Sequence, residues 1–150
     1  MTVSCLVDTN VLVYAYDRAE PAKQRRAFHV LDQLANSSRG ALSVQVLSEA
    51  FVALTRRIKA PLRPEEAYQR LQNYQQAWLV FDLTGLIALE GARGVVEHKL
   101  NFWDSLIWAT ARLNQVGLVL SEDFTDGQVL EGVRFENPFS DDFVLEETLS

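Results

Sequence analysis

The sequence has little of the chemistry that many enzyme sites use. It contains one cysteine, Cys5, and two histidines, which excludes a disulfide framework and a zinc site built from several cysteines. Its seven glycines match neither of the common glycine-rich phosphate loops. No apolar run approaches the ~18 residues of a membrane span, and the first residues lack a signal-peptide pattern. We therefore expect a cytoplasmic protein that has no membrane partner.

The sequence also lacks the basic excess that is typical of a nucleic-acid-binding protein. It has 20 acidic and 14 basic residues, and four of the acids lie in residues 139–150, where there is no basic residue. Two basic clusters remain, and they consist of Arg18, Lys23, Arg25 and Arg26 in the first and Arg56, Arg57, Lys59 and Arg63 in the second. These clusters are either solvated helix faces or a surface that contacts phosphates, depending on their direction relative to any active site.

Apolar periodicity predicts strands that alternate with helices. The predicted strands are residues 3–7, 41–43, 79–82, 118–120 and 133–135, and the predicted helices are residues 21–36, 44–58, 64–77, 84–97 and 103–115. This alternation predicts a three-layer α/β/α domain with a mostly parallel central sheet of about five strands. A length of 150 residues is typical of one domain. We expect one domain over residues 1–150, with a mobile acidic tail from about residue 140.

Four carboxylates stand out because of their positions in this pattern. Asp8 and Asp123 follow two of the predicted strands, Glu49 lies in an otherwise apolar helix, and Asp104 opens a very apolar one. The carboxyl ends of parallel strands face a common crevice in which ligands bind. Like charges that gather there repel each other unless a cation neutralises them. The sequence therefore predicts a site for a hard metal ion and, with it, phosphate chemistry.

Each of these acids also has an ordinary structural explanation. Asp8 and Asp123 would be turn residues whose carboxylates accept hydrogen bonds from backbone N–H groups. Glu49 would be an exposed helix acid, and Asp104 would favour the dipole of a helix that Asn101 caps. The combination favours the metal site, because two acids lie at strand ends and two lie on helices that would flank those ends.

The residues around the acids resemble the PIN-domain ribonucleases and, within them, the VapC-type toxins of bacterial toxin–antitoxin pairs. The resemblance covers about residues 3–139 and rests on VDTNVLVY at 7–14, SE at 48–49, FWDSLI at 102–107, LSEDF at 120–124 and NPF at 137–139. It implies a PIN-like parallel sheet flanked by helices. It assigns one or two Mg²⁺ or Mn²⁺ ions to four catalytic and metal-binding acids, namely Asp8, Glu49, Asp104 and Asp123. It further implies supporting roles for five polar residues, namely Thr9, Asn10, Ser105, Ser121 and, as an outer acid, Asp126.

The resemblance implies a metal-dependent endoribonuclease toxin that forms a homodimer, has a cognate antitoxin protein and cuts a structured RNA. A metal-activated water would be the nucleophile. The residues expected to contact RNA phosphates are Arg25, Arg26, Arg56 and Arg57. Two alternatives have the same fold: a housekeeping RNA-processing or repair nuclease without an antitoxin, and a non-catalytic scaffold that holds an arginine-bearing peptide in the crevice. The intact set of acids speaks against the scaffold.

Overall fold

A fully buried run of three residues forms the central strand of the computed structural model, which describes residues 2–149. The strands are β1 (Cys5–Val7), β2 (Gly40–Ser43), β3 (Leu79–Phe81), β4 (Leu118–Leu120), β5 (Val129–Leu130) and β6 (Val133–Glu136). They form one sheet in the order β3-β2-β1-β4-β6-β5, in which β5 and β6 pair antiparallel and the other pairs are parallel. The prediction of a mostly parallel α/β sheet is confirmed.

The sixth strand, β5, is the one that periodicity did not predict. It has two residues and joins β6 through Glu131 and Gly132, which have φ angles of 48° and 84°. Positive φ at both central residues is the backbone signature of a tight hairpin turn. Two residues are too few to show an alternating pattern, so this strand is recognisable only through its partner.

Seven α-helices flank the sheet within residues 2–149, in the α/β/α arrangement expected from the sequence. They are α1 (Thr9–Tyr14), α2 (Pro21–Ser37), α3 (Val44–Val52), α4 (Pro64–Ala77), α5 (Gly85–His98), α6 (Phe102–Leu113) and α7 (Leu145–Leu149). The short helices α1 and α7 were not predicted. The end of α3 widens into a π turn at Ala53–Arg57, where the Ile58 N–H bonds to the Ala53 carbonyl oxygen at 3.2 Å. None of the helices described is long and apolar enough to cross a membrane.

The order of the strands reverses direction between β1 and β4. The chain adds β2 and β3 on one side of β1 and then returns to add β4 on the other side. Val7 is paired with Leu120 in this ladder, so the residues that follow, Asp8 and Ser121, leave the sheet side by side. Such a switch point is the usual ligand site of an open parallel sheet. The topology therefore brings the two predicted strand-end acids to one crevice.

Close packing of α5 against α6 sets the position of the helix that carries Asp104. A side chain at Gly91 would collide with Leu106, and one at Gly94 would collide with Ser105 and Trp108. The absence of a Cβ at both positions lets the helices approach, and α6 is consequently buried along most of its length.

The acidic tail predicted to be mobile contains α7, whose Leu145 is buried against the core. Two arginines of the domain bond to its last carbonyl groups: Arg39 donates to Leu149 and Arg134 to Thr148, each at 2.8 Å. These contacts attach the tail to the domain, and its motion in solution stays a prediction.

Candidate active site

Three carboxylates from distant parts of the chain meet above the carboxyl ends of β1 and β4. Asp8 follows β1, Asp104 lies in the first turn of α6, and Asp123 lies just beyond β4. One carboxylate oxygen of each lies within 4.8 Å of those of the other two. Oxygen ligands at this spacing are the donor set that Mg²⁺ and Mn²⁺ prefer. We call these three residues the acid cluster.

Asp8 is the buried member of the acid cluster, and hydrogen bonds fix both of its carboxylate oxygens. One oxygen accepts the Thr9 backbone N–H at 2.7 Å, which caps α1. The other accepts the Ser121 hydroxyl, also at 2.7 Å. The capping role that the structural alternative gave to Asp8 is therefore real, and it coexists with a place in the acid cluster.

The electrostatics of the acid cluster are unfavourable without a cation. Burial raises the pKa of Asp8 to about 7; the hydrogen bonds from Ser121 and Thr9 oppose this rise, and the charges of Asp123 and Asp104 add to it. Burial is also the main cause of the raised pKa of Asp104, followed by repulsion from Asp123 and Glu49. A buried carboxylate surrounded by others is stabilised when a positive charge binds. The donor set and its charge therefore fit a divalent metal ion.

Asn10 connects the beginning of the chain to the segment after β4. Its side-chain N–H group donates to the Ser121 hydroxyl and to the Asp123 carboxylate, each at 3.1 Å. Its side-chain oxygen accepts the Glu122 backbone N–H at 3.3 Å. Through these bonds, an amide on α1 orients an acid that lies 113 positions further along the sequence.

Glu49 lies in the same cleft but outside the acid cluster. It projects from α3, whose opposite face is buried and whose first turn is capped by the Ser43 hydroxyl at 3.2 Å from the Val46 nitrogen. The Thr9 hydroxyl donates to the Glu49 carboxylate at 2.8 Å. Thr9 therefore orients Glu49 with its side chain and Asp8 with its backbone.

The cleft has a volume of about 490 Å³ and is lined by residues from α1, α3, the π turn, α6 and the segment after β4. All four predicted acids line it, as do Thr9 and Asn10. Of the four arginines expected to contact RNA, Arg57 lines the cleft, and Lys59 is a second basic residue in the lining. The lining also includes apolar and aromatic side chains, namely Val13, Tyr14, Ala19, Ala53, Ile58, Trp103 and Ile107.

Two residues expected to support the site lie elsewhere. Ser105 is fully buried between α5 and α6, where its hydroxyl donates to the Gly91 carbonyl oxygen at 2.6 Å. One helical position separates it from Asp104, and the resulting rotation of about 100° turns it from the cleft into the core. Asp126 accepts the Asn137 backbone N–H at 2.8 Å and does not line the cleft.

Three of the predicted RNA contacts also lie outside the cleft. The Arg26 guanidinium donates to the Pro138 and Ser140 carbonyl oxygens at 2.7 and 3.1 Å, so it holds the start of the acidic tail. Arg25 and Arg56 are exposed and do not line the cleft. Charge could not separate these arginines from Arg57, because all four carry the same charge in helical segments of the sequence.

An ion pair at the rim of the cleft was not predicted from the sequence. Glu122 lines the cleft and binds the Lys23 ammonium group at 2.9 Å. The same ammonium group donates to the Tyr14 hydroxyl at 3.3 Å and lies 4.6 Å from the centre of that ring. Lys23 therefore neutralises a fifth acid beside the cluster. Its partner lies 99 positions away in the sequence, so no local pattern indicated the pair.

A family model described as the PIN domain matches residues 5–125. No curated protein sequence matches the chain. Among solved structures, the chain is similar to a toxin–antitoxin complex from Klebsiella pneumoniae, with 22% identity and a TM-score of 0.66 over 90% of this chain and 98% of the other.

Two further structures show the same likeness. One is VapC20 of Mycobacterium tuberculosis, described as a toxin that cleaves the sarcin-ricin loop, with 20% identity and a TM-score of 0.60 over 87% of this chain and 99% of the other. The second is VapBC2 from Rickettsia felis bound to a promoter DNA fragment, with 19% identity and a TM-score of 0.63 over 91% and 98% of the two chains. At these identities the likeness establishes the fold.

Proposed function

The chain belongs to the PIN-domain family, and from this premise we propose that it is a metal-dependent endoribonuclease that acts as the toxin of a toxin–antitoxin pair. The observation that carries the proposal is the acid cluster at the strand switch point. We assign catalytic and metal-binding roles to Asp8, Asp104 and Asp123, together with Glu49. The ligands are all carboxylate oxygens, which favours Mg²⁺ or Mn²⁺, as one or two ions, over softer metals.

A bound divalent ion would supply Lewis acidity for the phosphate and lower the pKa of a water molecule, which would be the nucleophile. Within residues 2–149, the cleft is lined by no cysteine or histidine that would replace water as the attacking group. The surrounding residues hold the acids in place. Ser121 and Thr9 orient Asp8, Thr9 also orients Glu49, and Asn10 orients Asp123.

RNA is the proposed substrate, although the cleft carries several negative charges. Arg57 and Lys59 lie at the rim formed by the π turn and the two residues that follow it, where they would attract the phosphate backbone. A single-stranded loop enters such a cleft more easily than a duplex, because its backbone bends and its bases are exposed. A cytoplasmic location is part of the proposal, because cellular RNA would be met there.

An antitoxin partner and a homodimer complete the proposal. Similar folds occur in structures described as toxin–antitoxin complexes, which supports an antitoxin for this chain. Helix α5 presents Leu86, Leu89 and Val96 to solvent, and each side chain is at least 68% exposed. Their spacing of three and seven positions places them on one helix face, where a second copy of the chain would cover them.

The proposed activity is tested with the purified protein and total cellular RNA in Mn²⁺, with new 5′ ends mapped by sequencing. Discrete cuts that disappear in EDTA and in the Asp104→Asn variant are expected. A housekeeping nuclease would cut in the same way, and an adjacent gene for a small protein that suppresses the activity distinguishes the toxin. RNA that stays intact under every metal condition would leave the scaffold as the better explanation.

A further inference from the structure

A tryptophan stands at the rim of the acidic cleft with most of its surface in water. Trp103 is 58% exposed, lines the cleft, and directly precedes Asp104. Exposure of so large an aromatic ring is unfavourable, because burial of such a side chain removes about 150–250 Å² of surface from contact with water. Neither catalysis by the acids nor the packing of the core accounts for an indole at this position.

The backbone of Trp103 is held on both sides. Its N–H donates to the Asn101 side-chain oxygen at 3.0 Å, which is the cap of α6. Its carbonyl oxygen accepts the side-chain N–H of Gln45, a buried residue of α3, at 2.9 Å. Phe102 packs edge-on against the indole, with the ring centres 5.3 Å apart. The backbone that carries the ring is thus held by α3 and by the cap of α6 before any ligand arrives.

The indole itself remains available to a ligand. Within residues 2–149, the indole Nε1–H makes no hydrogen bond to the protein, and the aromatic neighbour of the ring is Phe102. Because the backbone is already fixed, binding of a flat partner by the indole does not cost the additional entropy of ordering this segment. A planar, polar-edged ligand such as a nucleobase matches an indole with an exposed face.

The distribution of charge along α3 indicates how an RNA strand would lie in the cleft. Gln45, which binds the Trp103 backbone, is about one helical turn before Glu49, and Arg57 is about two turns after it. Along this segment Glu49 lies between an aromatic end and a basic end of the cleft that holds the acid cluster. A strand that crosses it would place a phosphate near Arg57 and a base near Trp103.

We propose that Trp103 is a stacking platform for a nucleobase of the RNA substrate, and that it positions the strand across the acid cluster. This inference rests on the proposed ribonuclease function. The proposed protein interface is the apolar face of α5, whose exposed residues do not line the cleft that the indole borders. Stacking tolerates any base, so Trp103 sets affinity and register more than sequence choice.

The test compares two fluorescein-labelled probes of equal length and charge, a ten-nucleotide oligouridylate and its abasic ribose-phosphate counterpart. Binding is measured in Ca²⁺, and the probes are checked for integrity afterwards. Trp103→Ala is expected to weaken binding of the base-bearing probe by roughly 5- to 100-fold and to leave binding of the abasic probe unchanged. Trp103→Phe should restore most of the affinity. Tyr68→Ala, which removes another exposed aromatic outside the cleft, should bind like the unmodified protein.

In the cleavage assay, Trp103→Ala should raise KM more than it lowers kcat, as expected of a positioning residue. If Trp103→Ala weakened binding of both probes equally, or of neither, the stacking role would be overturned. Cleavage by the unmodified protein would still support the proposed function. Dissociation of a dimer by Trp103→Ala in sedimentation would overturn it in favour of a protein interface. Absence of both binding and cleavage in the unmodified protein would remove the proposed function and this inference together.

Discussion

The Ser121 hydroxyl donates a 2.7 Å hydrogen bond to Asp8 across the two strands between which the sheet order reverses. The two residues directly follow β1 and β4, whose last residues are paired in the ladder. A buried carboxylate that is oriented by a neighbouring strand can keep its geometry whether or not a cation is bound. This bond explains how the domain holds an electrostatically unfavourable acid in a defined position.

Metal ions should stabilise the folded protein. The acid cluster exists only in the folded state, so an ion at about 100 times its dissociation constant would add roughly 2.7 kcal/mol to the free energy of unfolding. We expect Mn²⁺ or Mg²⁺ to raise the melting temperature and EDTA to abolish RNA cleavage. Asp82→Asn, which changes an exposed acid outside the cleft, should keep the full metal-induced shift. Undiminished cleavage by a metal-free preparation would contradict the proposed mechanism.

Asp104→Asn separates a structural acid from a functional one. Within residues 2–149 the Asp104 carboxylate makes no side-chain hydrogen bond, and its pKa is raised by burial and neighbouring acids. If its main effect were on the helix dipole, the substitution would destabilise the protein by about 0.3–1 kcal/mol. We expect a metal-free variant that is at least as stable as the original, because like-charge repulsion is relieved.

The same variant should lose most RNA cleavage and much of the Mn²⁺-induced stabilisation. Denaturant unfolding with and without Mn²⁺ measures the stability, and a parallel cleavage assay measures the activity. Retained cleavage together with clear destabilisation of the metal-free protein would show that Asp104 has a structural role.

Asp8 should make the stability of the metal-free protein depend on pH. Its pKa is about 7 in the folded protein and near 3.8 when unfolded, so between these values the folded state binds more protons than the unfolded state. Stability should therefore fall as pH rises through this interval, and the raised pKa of Asp104 acts in the same direction.

Asp8→Asn removes the larger part of this effect and should flatten the decline between pH 5 and 7 in EDTA. Chemical denaturation at a series of pH values measures it, with Asp82→Asn as the control that keeps the original slope. An identical decline in Asp8→Asn would assign the pH dependence to other groups. Saturating Mn²⁺ should also remove the decline, because a bound cation favours the ionised carboxylate.

Arg57 and Lys59 should contribute to RNA binding, whereas exposed arginines outside the cleft should not. The double variant Arg57→Ala, Lys59→Ala is expected to weaken binding and to reduce the slope of log affinity against log salt by about 0.7 for each lost phosphate contact. The matched control, Arg25→Ala, Arg56→Ala, removes the same charge from outside the cleft. Equal effects of the two double variants would indicate general electrostatic attraction and would exclude a specific phosphate-binding role for Arg57 and Lys59.

Leu89→Glu should dissociate the proposed homodimer. It places a charge at the centre of the exposed face formed by Leu86, Leu89 and Val96, and burial of an unpaired charge in an interface is strongly unfavourable. Light scattering should report a monomer for this variant and a dimer for Val129→Glu, which alters an exposed apolar residue of β5. A dimer that survives Leu89→Glu would place the interface on another surface.

The sequence by itself determined the alternation of strands and helices and the positions of four acids within it. These features depend on near neighbours: apolar periodicity defines an element, and an acid at its end is visible in the same short window. Asp8 caps α1, and Asp104 lies in the first turn of α6, which Asn101 caps, as the structural alternative described.

Only the tertiary structure decided which polar residues share the cleft. Ser105 and Asp104 are adjacent in sequence, yet packing against α5 buries the first and leaves the second in the acid cluster. Arg26 and Arg57 have the same charge, yet one holds the tail and the other lines the cleft. The direction of a side chain depends on surfaces that are distant along the chain, so contacts such as that of Asn10 with Asp123 arise only when the sheet brings these segments together.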